Sequence, residues 1–147
     1  MAVQLGELVL LQAEGKIRHI GLSEVTIDEL HQAQEIASIV SVQNRFNLVD
    51  RSAEPLLDHA AARGIAFIPF FPLATGSLAR EGGPLDQLSR RLGATAAQLA
   101  LAWLLRRSPV MLPIPGTSTV SHLEDNMAAA AIVLSDDELS ELNAIAG

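Results

Sequence analysis

Apolar positions along the chain fall into two alternating spacings, and the alternation predicts a strand followed by a helix, repeated. Val3 to Glu14 carries Leu5, Leu8 and Leu11 at helical spacing, with Gly15 placed to stop the helix. Ile17 to Leu22 is a short apolar stretch and reads as a strand. Thr26-Ile-Asp-Glu29 has the spacing of a capping box, and a helix is expected from there to about Ala37. Ile39 to Val42 reads as the next strand, Ser52 or Ala53 to Arg63 as a helix closed by Gly64, and Ile65 to Phe70 as a buried strand. Thr95-Ala-Ala-Gln98 opens a helix ending near Arg107, and Val110 to Ile114 reads as a fourth strand. Two further capping boxes, Ser121-His-Leu-Glu124 and Ser135-Asp-Asp-Glu138, each open a helix.

The strands are apolar throughout rather than alternating, the pattern of parallel strands covered on both faces. Four consecutive right-handed βα units suit either a doubly wound sheet or part of a (β/α)₈ barrel. A whole barrel typically takes about 250 residues, so these 147 supply half at most. The longest connection runs from Pro72 to Gly93 and is rich in Gly, Pro and Leu. It follows the C-terminal end of a strand, where barrels and open α/β sheets carry their sites, so a functional loop and a plain excursion are the two readings.

Composition narrows the classes. Hydrophobic residues make up 49%, which excludes a disordered tail. Ten basic against 17 acidic residues, with no basic run, argue against nucleic acid or an anionic membrane as the main partner. No cysteine is present, so no disulfide, thiol nucleophile or thiolate metal site is available. The four histidines are dispersed and show no metal-ligand spacing. No apolar run approaches the roughly 20 residues of a membrane span, and Met1 to Leu11 lacks the basic start of a signal peptide. A single cytoplasmic domain over residues 1–147 is the expectation. The chain has no tyrosine and one lysine, Lys16, so a phenolic acid or a Lys–Asp pair has little material here.

Four motifs carry candidate chemistry. Gly15-Lys-Ile-Arg-His-Ile-Gly-Leu-Ser23 ends on a hydroxyl at a strand terminus, where Ser23 either caps the next helix or meets a ligand amide. Val42-Gln-Asn-Arg-Phe-Asn47 places the Gln43 amide at the end of an Ile/Val strand, and its partner is either backbone or a planar ligand amide. Phe67-Ile-Pro-Phe-Phe-Pro-Leu-Ala-Thr-Gly76 places Phe70 and Phe71 at a strand end, able to stack on a flat ring or to fill core. Leu112-Pro-Ile-Pro-Gly-Thr-Ser118 is a turn before a capped helix: an ordinary Pro-Gly turn, or a phosphate grip made of backbone N–H groups.

Taken in this order, the motifs resemble the aldo/keto reductases from about Leu5 to the C-terminus. Gly-Lys-Ile-Arg-x-Ile-Gly-x-Ser is similar to the family's fifth strand, Val-Gln-Asn-x-x-Asn-Leu-x-Asp-Arg to its sixth, and Ile-Pro-Gly-Thr-Ser with His-Leu-Glu-Asp-Asn to its eighth strand and cofactor helix. The resemblance implies the parallel-stranded half of a TIM (β/α)₈ barrel, strands five to eight with their helices. It implies a cofactor, NADP(H) with NAD(H) as the alternative. Ser23 and Gln43 would hold the nicotinamide carboxamide, and Phe70 would stack on the ring. Leu73 and Gly76 would cover the pyrophosphate. Gly116, Thr117, Ser118 and His122 would meet the adenosine ribose and its 2′-phosphate, and Asp125 and Asn126 the adenine. Phe71 and Ile114 complete the candidate contacts.

Three positions depart from the family pattern. Glu24 stands where asparagine is usual, Phe71 where serine is usual, and His122 where arginine is usual. No Lys or Arg lies between Gly116 and Asn126, so a 2′-phosphate would lack charge-assisted hydrogen bonds. The family's catalytic Asp, Tyr, Lys and His belong to the first four strands, so the resemblance implies a cofactor half that is inactive alone. A half barrel leaves open edges at the Ile17 and Val110 strands and a bare inner face, which implies a homodimer or a complementing N-terminal half. The competing readings are a non-catalytic fragment or assembly module without its own ligand, and an unrelated α/β module sharing only the phosphate turn.

Overall fold

A computed structural model describes residues 1–74, 78, 83 and 85–145. The chain opens with α1, Ala2–Ala13, and Gly15 follows it at φ 73°, a left-handed value that costs glycine little. Then come β1 (Ile20–Ser23), α2 (Ile27–Gln34), β2 (Ile39–Arg45), α3 (Glu54–Ala61) and β3 (Ala66–Phe70). Gly64, at φ 66°, ends the α3 turn as expected. The second half is helical: α4 (Asp86–Leu92), α5 (Ala96–Arg107), α6 (Val120–Ala128), a 3₁₀ turn at Ala129–Ala131, and α7 (Asp136–Ala144).

The three strands pair in parallel in the order β1-β2-β3. Leu22 lies beside Val42 and Val42 beside Phe67; one residue on, Ser23 lies beside Gln43 and Gln43 beside Ile68. Val42 and Phe67 are fully buried on the helix-covered face, where Leu57, Leu99 and Trp103 are also fully buried. Phe46 stacks on Trp103 with centroids 5.8 Å apart and meets Phe67 edge-on. Trp103 Nε1 donates to Asn143 Oδ1 at 2.9 Å, and the Arg51 guanidinium lies 4.7 Å above its ring, which ties α5 to α7 and to the loop before α3. Arg107 adds a second tie, donating to Glu54 and Asp58 of α3.

Several expectations need correction. The fourth strand, Val110 to Ile114, is reduced to one parallel bridge between Met111 and Phe67, held by Phe67 N–H to Val110 O and Leu112 N–H to Phe67 O, both 2.8 Å. Pro113 and Pro115 have no N–H with which to continue a ladder. The strands are buried on one face only: Ser41, Gln43, Ala66, Ile68 and Phe70 are partly exposed, because nothing among the described residues covers the inner face. The helix expected at Ser121 is capped two residues earlier, where Thr119 accepts from the His122 N–H. The other three capping boxes, at Thr26, Thr95 and Ser135, form with both reciprocal bonds. The Pro72–Gly93 connection contains α4, with Leu88 buried, and is not a plain loop. At the element ends, β1 begins at Ile20 rather than Ile17, and α2 stops at Gln34 rather than Ala37.

Candidate functional site

Parallel strands bring their C-terminal ends to one side, and three candidate residues stand there. Ser23 closes β1 and is the register partner of Gln43 in β2; Phe70 closes β3, two residues beyond Ile68, the partner of Gln43. Strand alternation puts Ser23, Gln43, Ile68 and Phe70 on one face, the inner one. Ser23 does not cap α2, since Thr26 does so with the Glu29 N–H. The side chains of Ser23 and Gln43 have no protein partner among the described residues, so both are available to a ligand.

Two asparagines hold these strand ends. Asn44 accepts from the Val25 N–H at 3.3 Å and donates to the Val25 carbonyl at 3.0 Å, clamping the turn after Ser23. Asn47, fully buried, donates to the Phe71 carbonyl at 3.0 Å and accepts from the N–H groups of Val49 and Asp50. This fixes the end of β3, where Phe71 takes φ 52° and packs edge-on against Phe70, with Arg45 5.5 Å from its ring. Glu24 also has a left-handed φ, 54°; its carboxylate accepts from the Arg45 N–H, turned back onto β2.

The second group gathers around a hollow of about 280 Å³ lined by Leu73, Thr95, Ala97, Gly116, His122, Asp125 and Asn126. Leu73 follows β3 by three residues, so it links the strand ends to this hollow. The parallel bridge at Met111 directs residues 112–119 toward the same side of the sheet as Phe70. Thr117 Oγ1 accepts from the Thr119 N–H at 3.2 Å and donates to the Thr119 carbonyl, ordering the turn in front of α6. The Val120 and Ser121 N–H groups belong to the orphan set of a helix N-terminus. Ile114 and Ser118 are exposed, and neither lines the hollow. Gly76 lies outside the described residues.

Pattern reading missed Gln98. Its Oε1 accepts from the Thr95 N–H within the capping box, while its Nε2 donates to the Asp125 carbonyl at 3.2 Å, positioning α6 over the hollow. Glutamine at the third helical position was the available signal, since an amide has a donor left over after capping and a glutamate does not. A larger hollow of about 390 Å³ opens between the starts of α2 and α3, lined by Glu24, Thr26, Asn44, Arg45 and Ser52 among others. Asn44 and Glu24 are already engaged there with backbone, so the inner-face group has the more available polar atoms. Among the described residues there is no group of three metal-ligating side chains and no helix long and apolar enough to cross a membrane.

Comparison with known proteins adds the following. The sequence model described as the Aldo/keto reductase family matches residues 1–146. An uncharacterized oxidoreductase of Schizosaccharomyces pombe is 51% identical over 140 residues, 95% of this chain and 46% of that protein. Pyridoxine 4-dehydrogenase of Escherichia coli is 47% identical over 135 residues, 92% of this chain and 47% of that protein. The crystal structure of an aldo-keto reductase from Klebsiella pneumoniae in complex with NADPH superposes with a TM-score of 0.84 at 32% identity, over 96% of this chain and 54% of that one. The chain spans about half the length of the curated relatives it matches.

Proposed function

The chain belongs to the aldo/keto reductase family, and we propose that it forms the nicotinamide-dinucleotide cradle of a carbonyl oxidoreductase. The observation that carries this reading is the pairing of Ser23 with Gln43 at the C-terminal strand ends, their side chains unengaged among the described residues, with a hollow lined by Leu73 beyond the end of β3. In this reading Ser23 and Gln43 hold the carboxamide, and Phe70 supports the ring by stacking. Leu73 and Gly76 cover the pyrophosphate. The turn from Gly116 to Ser118 and His122 meet the adenosine ribose, while Asp125 and Asn126 meet the adenine. A bound nicotinamide supplies the hydride that a carbonyl accepts.

What these residues do is orient and shield. Asn44 and Asn47 hold the two strand-end turns fixed, so the carboxamide contacts are set before a ligand arrives. The proton a reduced carbonyl needs must come from a positioned acid. With no tyrosine in the chain, and with Lys16 paired to Glu14 at the α1–β1 turn, that acid comes in our reading from a complementing N-terminal half. The exposed apolar side of α6 and the half-covered sheet support such a partner.

The test mixes this chain with the portion of the E. coli relative that precedes the matched region, in the presence of NADPH or NADH and an aldehyde. Cofactor oxidation that requires both pieces supports the proposal. Absence of cofactor binding to the chain, alone and in the mixture, removes it in favour of an assembly module without a ligand. Sedimentation at micromolar concentration tests the partner, and a monomer that ignores the N-terminal piece counts against it.

A further inference from the structure

The adenosine end of the proposed site is acidic. Its hollow is lined by Asp125, with Glu124 next in sequence, and among the described lining residues the side chain able to carry positive charge is His122. The arginines of α5 do not reach it. They sit nine and ten residues from Ala97, roughly 14 Å along the axis or more, where Arg106 faces Asp136 and Arg107 is held by Glu54 and Asp58. Arg51 lies over Trp103, Arg91 bonds Glu141, and Arg45 pairs with Asp50.

A 2′-phosphate brings close to two negative charges and acceptor oxygens only. Beside a carboxylate, and with no guanidinium or ammonium among the described lining residues, it gives up strong hydration and gains no charge-assisted bond from them. A free 2′-hydroxyl has the opposite needs: it carries no charge for the nearby Asp125 carboxylate to repel, and it both donates and accepts, so it can bond the His122 ring in the same hollow. We infer that the hollow selects the ribose with a free 2′-hydroxyl, so the chain takes NAD(H) in preference to NADP(H). This rests on the cofactor reading above and departs from the NADPH found in the Klebsiella pneumoniae structure.

Calorimetric titration of the chain with NAD⁺ and NADP⁺ at equal ionic strength reads the preference without any turnover. NAD⁺ binds at least about tenfold more tightly, a difference of about 1.4 kcal/mol. His122→Arg closes that gap by about tenfold, through NADP⁺ and not through NAD⁺. NADP⁺ binding as tightly as NAD⁺ or more tightly overturns the inference, whichever cation of the chain provides the contact. If neither dinucleotide binds up to about 10 mM, a limit of roughly 3 kcal/mol, the cofactor reading itself falls and this inference with it. The two failures are therefore distinct.

Discussion

Helices α5 and α6 carry apolar residues at similar spacing and meet opposite fates. In α5, six consecutive residues from Leu99 to Leu104 are buried, and Trp103 sits at the centre of the core. In α6 no residue is buried: Val120, Leu123 and Met127, spaced three and four apart, are 72%, 52% and 68% exposed. A helical apolar stripe declares that a helix has a face to cover. It does not declare that the same chain covers it. The first region is covered by the chain itself; the second carries the candidate adenosine contacts and leaves its apolar stripe exposed.

The sharpest way to break this contrast is to remove the anchor of the finished region. Trp103→Ala should cost about 3–5 kcal/mol, as large aromatic truncations in a core do. It also leaves Asn143 Oδ1 without its donor and Arg51 without its ring. Urea denaturation followed by circular dichroism checks it. A loss below about 1 kcal/mol would mean that α5 is no better packed than α6.

Next comes the cap of α6. Thr119→Ala should cost about 1 kcal/mol of local helix stability, read as lost hydrogen-exchange protection over residues 120–128. Ser121→Ala should do nothing measurable there, because the observed cap bond is Thr119 Oγ1 to the His122 N–H. Equal losses from both variants would restore the Ser121 capping box expected from the sequence.

Smaller again is the response to pH, and it divides the molecule in the same way. The carboxyls of Glu29 and Glu138 lie below the usual range because each accepts from the backbone N–H of its cap residue, Thr26 or Ser135. The unfolded chain therefore takes up these protons first as pH falls. The stability they contribute is complete above the ordinary glutamate value of 4.5 and is lost as pH drops through the lowered native values. His59 is also lowered, by burial first and then by Arg63 and His31, so its contribution is present above the ordinary value of 6.5 and fades below it. Denaturation midpoints from pH 7 to pH 3 should fall in both windows. Glu29→Gln with Glu138→Gln should flatten the acid window alone. None of these groups lies on α6, whose cap is a neutral threonine.

How far the sequence disclosed this molecule follows from where each signal came from. Three capping boxes and two terminating glycines were legible because their bonds are local. The Ser121 box failed because Thr119 had equal capping chemistry and the turn at Thr117 favoured it. The fourth strand was misjudged because apolar composition outweighed two prolines that remove ladder donors. At the site, Ser23 and Gln43 were recognisable as polar residues ending apolar strands. Gln98 was not, since its second bond reaches 27 residues along the chain and no local pattern records it.

The smallest expected effect is the one that decides what α6 is for. Leu123→Ser and Met127→Ser should each leave the urea midpoint within about 0.5 kcal/mol of the parent, as substitutions at exposed positions do. Both side chains border an apolar hollow of about 370 Å³ shared with Leu101, Leu105, Leu112 and Pro113. Polar replacement there removes little that the lone chain buries. The same pair should weaken any association with a second copy or an N-terminal half, since a partner would bury what the lone chain exposes. Sedimentation of parent and variant across a hundredfold concentration range separates the two outcomes. A variant that unfolds early would show that α6 already has its cover within this chain. A variant equally stable but less associated would show that the cover comes from elsewhere.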